Sequence, residues 1–173
     1  QKFFPLDTIS DAPFWASRKF VAIANYTYTK SKLKVSANDP VAVFASSATN
    51  ATDYFRDGAP LTGQSDHIVN LQLGMEDKDT LSQQTILLSY ASKRVTSRGA
   101  ALQPDIIEEP GIQLDFVARQ GIRIRDIETE LKLEVRNITG TKYKEYQQNG
   151  ENRIFYNLYD RGTIATLGLS VNF

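Results

Sequence analysis

Apolar and polar side chains alternate along much of this chain. The cleanest run is Ile127 to Thr139. It sets Ile127, Thr129, Leu131, Leu133 and Val135 against Glu128, Glu130, Lys132, Glu134 and Arg136. A strand points successive side chains to opposite faces, so this period of two predicts a ribbon with one oily and one charged face. The final stretch, Gly162 to Phe173, repeats it, with Phe173, Val171, Leu169, Leu167 and Ala165 opposite Asn172, Ser170, Gly168 and Thr166. Chain ends usually fray. This one finishes in mid-pattern on an aromatic, as a strand would that stops where lipid stops.

Four further strands follow from the same pattern. Lys19 to Lys32 places Phe20, Ala22, Ala24, Tyr26 and Tyr28 on one face. Ile68 to Glu76 places Val69, Leu71, Leu73 and Met75 together. Leu81 to Thr96 offers Ile86, Leu88 and Tyr90, although Leu87 interrupts the alternation. Ile112 to Gln120 sets Ile112, Leu114, Phe116 and Ala118 against Gln113, Asp115 and Arg119. Gln1 to Phe4 reads as the end of an earlier strand, and Pro5 to Arg18, with two prolines and Trp15, as a turn. Between strands, Lys34 to Gly63, Ser97 to Gly111 and Gly140 to Leu158 read as long loops. Asp77-Lys78-Asp79 and Gly121 to Asp126 read as tight turns. Long connections at one end and tight ones at the other are the mark of outer-membrane barrels, whose strands need about 9–11 residues to cross.

Composition narrows the field. Lys and Arg number 20, as do Asp and Glu, so no net field recruits nucleic acid. The chain has no Cys, which excludes disulfides, thiolate metal sites and Cys nucleophiles. No run approaches the roughly 18 apolar residues of a membrane helix. His67 is the single histidine and reads as a polar strand-end residue. Glu108-Glu109, which offers carboxylate oxygens of the kind hard cations take, reads as solvated loop. Glu128, Glu130 and Glu134 are no acid–base pair, since nothing sets one carboxylate apart from another. No Ser-His-Asp order, phosphate loop or dinucleotide fingerprint occurs. An enzyme is the least expected reading, and no cofactor is implied. Tyr143, Tyr146, Arg153, Phe155 and Tyr156 gather around the last loop. They suit either a rim that stacks on an incoming ligand or an aromatic belt packed within the loop.

Several stretches together resemble the TonB-dependent receptors of Gram-negative outer membranes. They are Leu61-Thr62-Gly63-Gln64-Ser65 with His67 to Leu73, Pro104 to Pro110, Asn137-Ile138-Thr139-Gly140-Thr141-Lys142-Tyr143, and Tyr159-Asp160-Arg161-Gly162 with the terminal Phe173. The resemblance implies an all-β, antiparallel transmembrane barrel of about 22 strands with a plugged lumen. This chain would be its last six strands plus the stump of a seventh, residues 1–173 being barrel and the plug lying outside the sequence. It implies import of a scarce nutrient, such as a ferric siderophore, bound at the cell surface. The partners it implies are the rest of the barrel, the plug, outer-membrane lipid, and TonB through an N-terminal part not present here. Gly168, Val171 and Phe173 resemble the signal read by the barrel-assembly machinery, with Leu167 where a polar residue is usual.

Two physical arguments accompany the resemblance. Barrels of this kind close at about 8 strands or more, and unpaired strand edges are too costly for lipid, so the remaining strands must come from elsewhere. A midplane Arg or Lys facing lipid costs about 2–4 kcal/mol, so Glu128, Glu130, Lys132, Glu134 and Arg136 are expected to line the lumen, against the plug. Two rivals remain: a soluble β-barrel or sandwich that hides its apolar faces around a small apolar ligand, and a passive outer-membrane pore.

Overall fold

The computed structural model describes residues 2–42, 47, 49–77, 79–99, 103–125 and 127–172, with the backbone alone at Asn172. Gln1, Lys78, Asp126 and Phe173, each named in an expectation above, lie outside the described residues, as does part of the long loop.

The chain is all-β and antiparallel. Its main sheet holds β1 (Lys2–Pro5), β2 (Arg18–Tyr28), β3 (His67–Asp77), β4 (Ser82–Ala91), β7 (Gly111–Ile124), β8 (Ile127–Arg136) and β11 (Ile164–Asn172), in that spatial order. Each strand pairs with its neighbour along the chain within this sheet. The six expected strands and the stump are all present. A one-turn helix, α1 (Pro13–Ala16), lies in the stretch expected as a turn. The turn expected over Gly121 to Asp126 is shorter, because β7 runs on to Ile124 and pairs there with Ile127. Gly121 belongs to that strand: its N–H reaches the Leu81 carbonyl at 2.5 Å, and a Cβ there would lie 2.9 Å from the Leu81 Cβ.

Directly paired residues share a face, so register defines both surfaces. One face carries Phe20, Met75, Ala22, Leu73, Leu71, Ile86, Leu88, Leu114, Phe116, Leu133, Leu131, Leu167 and Leu169 from β2 to β11, with the uncharged polar residues Ser82, Gln84 and Gln120 among them toward the tight-turn end. The expected apolar face of β4 belongs to it. Leu87, which spoils the alternation, sits on the other face between Gln72 and Asp115. Among the described residues no large side chain is fully buried; Leu167 is 70% and Leu169 66% exposed. The apolar face therefore lies open rather than folded around a core. β1 and β11 are the outer strands, and no closed barrel is formed among the described residues.

Two of the three long loops expected, over Ser97 to Gly111 and Gly140 to Leu158, instead form more strand. A second sheet contains, in spatial order, β10 (Asn152–Tyr159), β9 (Tyr143–Asn149), β6 (Ile106–Glu108) and β5 (Arg94–Ser97). The run expected as one strand from Leu81 to Thr96 breaks after Ala91, and β5 belongs to this second sheet. Its order repeats the one beneath. β5 follows β4, β6 precedes β7, β9 follows β8, and β10 precedes β11. Four neighbouring strands of the main sheet thus continue past a break into a second four-stranded sheet.

Asn137 organises that break. It adopts a left-handed backbone (φ 54°), which Asn tolerates better than most residues. Its side-chain amide donates to the carbonyls of Gly162 (2.9 Å) and Thr141 (3.2 Å), and its Oδ1 accepts from the Thr141 N–H (2.9 Å). Its own N–H donates to Asp115, and its carbonyl accepts from the Thr163 hydroxyl. Asn137 is buried, so these groups have little access to water. Asn137→Ala is expected to cost about 2–4 kcal/mol, summing left-handed strain and lost buried hydrogen bonds. Asn137→Gly keeps the backbone freedom and should cost less. Denaturant titration of both variants checks the order.

Candidate functional site

The polar face of the main sheet is a charge-balanced network. Glu128, Glu130, Lys132, Glu134 and Arg136 all share this face, as their pairing with Asn172, Ser170, Gly168, Thr166 and Ile164 requires. Arg119 on β7 grips Glu130 with two hydrogen bonds, Nε to Oε1 at 2.6 Å and Nη2 to Oε2 at 3.0 Å. A planar guanidinium matches a carboxylate in this way, which fixes geometry as well as charge. Glu134 receives Lys132 at 2.6 Å and Arg136 at 3.3 Å along its own strand. Arg123 meets Glu128 at 3.3 Å. One transverse row runs Lys19, Glu76, Gln83, Arg119, Lys132 and Gly168. Within it Lys19 and Glu76 pair at 3.2 Å, and Gln83 donates to Glu76 at 3.3 Å. Exposed pairs of this type contribute little stability each. Their effect is to concentrate charge on one face while the other stays mainly apolar.

Aromatic residues mark the ends of the apolar face. Near the long connections, Tyr26 and Tyr28 flank His67, whose Nδ1 lies 2.9 Å from the Tyr26 hydroxyl and whose ring stacks on that of Tyr26. His67 is thus a hydrogen-bonding member of an aromatic group. Among the described residues no cluster of three His, Asp or Glu side chains is arranged to hold a metal. Near the tight turns, Phe4 faces Phe20, and Phe14 meets Trp15 edge-on at 5.0 Å. Arg18 lies over Phe14, 3.9 Å from its centre.

The hairpin of β9 and β10 gathers the aromatic residues of the last loop but divides them between its faces. Tyr143 stacks on Tyr159 at 4.9 Å, with Arg161 above Tyr143. On the opposite face Tyr146 meets Phe155 edge-on, and Arg153 lies 4.0 Å from the Tyr146 ring centre while also donating to Gln148. Tyr146 is only 3% exposed and serves as packing. Tyr156 sits where the register slips between Phe155 and Asn157, and is largely exposed. Both arginines are therefore committed to neighbouring rings.

Beside the Tyr143–Tyr159 pair lie two buried carboxylates, Glu108 and Glu145, directly opposite each other across β6 and β9. Sequence reading placed Glu108 in a solvated loop; instead it is buried and held by Arg94 through Nε at 2.8 Å and Nη2 at 2.7 Å. Glu145 has hydroxyl and amide partners: Thr96 donates at 2.5 Å and Asn157 at 2.7 Å. These bonds, first that from Thr96 and then that from Asn157, outweigh burial and hold its carboxyl below the ordinary glutamate range. Burial pushes the Tyr143 hydroxyl up, helped by Glu108 and Glu145. The Tyr146 hydroxyl is also raised by burial. Thr96 and Glu145 come from different long connections, so this cluster ties the two together.

A cleft of about 980 Å³ opens between residues 52–60, residues 98–99 and 103–105, and the end of β9. Tyr54, Phe55, Arg56, Asp57, Gln103, Gln148 and Asn149 line it. Its wall is braced by an Arg98–Asp105 ion pair at 2.7 Å, and Asp57 accepts from the Val35 N–H. Its volume lies within the range of small-molecule sites. Its lining alternates aromatic, amide and charged groups. Nothing in the composition of residues 52–60 announced this concavity; it depends on three connections meeting.

Comparison of the chain with protein-family models, with curated proteins and with solved structures finds no match.

The lowered Glu145 value predicts an acid-labile second sheet. A group whose folded value is depressed stabilises the fold above its unfolded value, near 4.3, and that contribution drains away as pH falls through the folded value. Hydrogen exchange in β9 and β10 should therefore accelerate below about pH 4. Glu145→Gln should remove most of that pH dependence.

Proposed function

We propose that this chain is the C-terminal wall of a TonB-dependent outer-membrane receptor. It would bind a scarce nutrient at the cell surface and admit it to the periplasm when TonB coupling moves an interior plug. One observation carries the reading. A broad, mainly apolar face, six strands wide from β2 to β11 and open to its surroundings, is backed by a charge-balanced polar face. A water-soluble domain covers such an apolar face with a second layer. Hydrocarbon needs no such cover, and it demands that charge stay on the other side.

The remaining features agree with that division of labour. The β3–β4 and β7–β8 connections are tight, and the opposite end carries the second sheet, the cleft, and the aromatic groups around His67 and in the β9–β10 hairpin. In this reading Glu128, Glu130, Lys132, Glu134 and Arg136 face a wet lumen and the plug. The cleft and the β9–β10 hairpin belong to the outer vestibule. Tyr156 and the edge of Phe155 are the parts of the expected ligand rim still presented to a ligand. Gly168 and Val171 lie on the closing strand, where assembly machinery would read them. A passive pore would share the same wall and differ in having no plug.

Substitution on the two faces separates these readings from a soluble binder. Leu167→Arg places a charge in the apolar face and should cost about 2–4 kcal/mol in a bilayer. It should reduce the folded, heat-modifiable fraction in outer membranes of cells making the full-length protein. Thr166→Arg, one residue away and opposite Glu134, should leave that fraction nearly unchanged. Equal tolerance of both changes, in a protein that stays in solution without detergent, would refute the membrane assignment. Charge reversal at Lys132 and Arg136 together should loosen the plug and raise permeability to large antibiotics. Unchanged permeability would argue against plug contact along this ladder.

A further inference from the structure

Among the described residues the outer edge of β10 is a second unpaired boundary, and it lies on the same side as the edge of β11. Each strand of the upper sheet is continuous in sequence with one strand of the lower sheet, and the two orders agree: β5-β6-β9-β10 above β4-β7-β8-β11. β10 leads into β11 through Asp160 to Thr163, with Gly162 in a left-handed turn (φ 67°). β10 is exposed along its whole length, yet it carries Ile154 at 72% and Tyr156 at 69%, with Leu158 and Tyr159 also open. Isolated edge strands are commonly guarded by lysine, proline or inward charge. β10 has neither Lys nor Pro, and its one charge, Arg153, lies over Tyr146. The register slip at Tyr156 divides the edge into two short pairing segments.

We infer that β10 receives one further antiparallel strand, supplied by the outer connection of the same barrel hairpin whose lower part pairs with β11. This inference rests on the barrel reading above and extends it. Closure of the wall continues beyond the hydrocarbon band into the second sheet. The partner segment brings apolar or β-branched side chains opposite Ile154 and Leu158. A second copy of this chain is not the occupant, because β10 and β11 would then need two different partners stacked in one order.

Photo-cross-linking in cells that make the full-length protein tests this. p-Benzoylphenylalanine replaces Ile154 or Asn157 on β10 in separate variants, and Ser170 on β11 in a third; adducts are mapped by mass spectrometry. The inference expects all three to reach one hairpin, with Ser170 joined to its lower part and Ile154 and Asn157 to its outer connection. An adduct from Ser170 without one from either β10 position, or β10 adducts to another loop or a second copy, overturns the inference and leaves the barrel reading standing. No intramolecular adduct from Ser170 overturns the barrel reading and this inference with it.

Discussion

A single-layered sheet has nowhere inside itself to hide an oily face. That constraint governs this protein. The seven main strands satisfy one another's backbone groups laterally, yet the surface formed by Leu71, Leu73, Ile86, Leu114, Leu131, Leu133, Leu167 and Leu169 has no second layer among the described residues. Each buried Leu or Ile is worth roughly 1.5–3 kcal/mol, so a surface of this extent cannot remain in water at equilibrium. Something apolar must cover it, and the opposite face limits what that is. In the proposed membrane setting a bilayer would cover all of it, which would account for the charges of β2 to β8 avoiding its middle.

The same sheet shows where that environment would stop. At the break around Asn137, Gly140 and Gly162 the pattern changes from oily against charged to mixed polar on both sides. Asn137 joins β8, the 139–141 turn and the approach to β11, so that four strands bend together rather than ending separately. Beyond it, buried Glu108 and Glu145 replace leucines as the centre of packing, satisfied by Arg94, Thr96 and Asn157. Buried carboxylates of that kind are tolerable because both oxygens of Glu145 have a donor and the charge of Glu108 is paired with Arg94.

This contrast also sets how much could be read in the residues alone. β2, β3, β7, β8 and β11 were legible because one face of each is nearly pure hydrocarbon, and period two is visible only when the faces differ. Leu87 blurred β4 because it fills an apolar spot on the polar face, which only its neighbours Gln72 and Asp115 reveal. β9, reading YKEYQQN, and β10 carry no such contrast, and the slip at Tyr156 reverses parity halfway along β10. They pair with each other across the Gly150 turn, while the other edge of β9 pairs with β6, over thirty residues away, which local pattern could not find. For the candidate rim, sequence grouped the right residues but not their sides. Tyr143 with Tyr159 and Tyr146 with Phe155 are cross-strand pairs on opposite faces of one hairpin. The cleft needed three connections in space and had no linear signal.

The most direct measurement is the environment of alternate positions along β8. The chain has no cysteine, so a single introduced Cys can carry a nitroxide label without competition. Labels at positions 129 to 135 in the membrane-embedded full-length protein should alternate. The odd positions should be relaxed by oxygen, which concentrates in hydrocarbon, and the even positions by a water-soluble nickel chelate. Nickel relaxation at both parities, or oxygen relaxation at Glu130, Lys132 and Glu134 instead, would contradict the account.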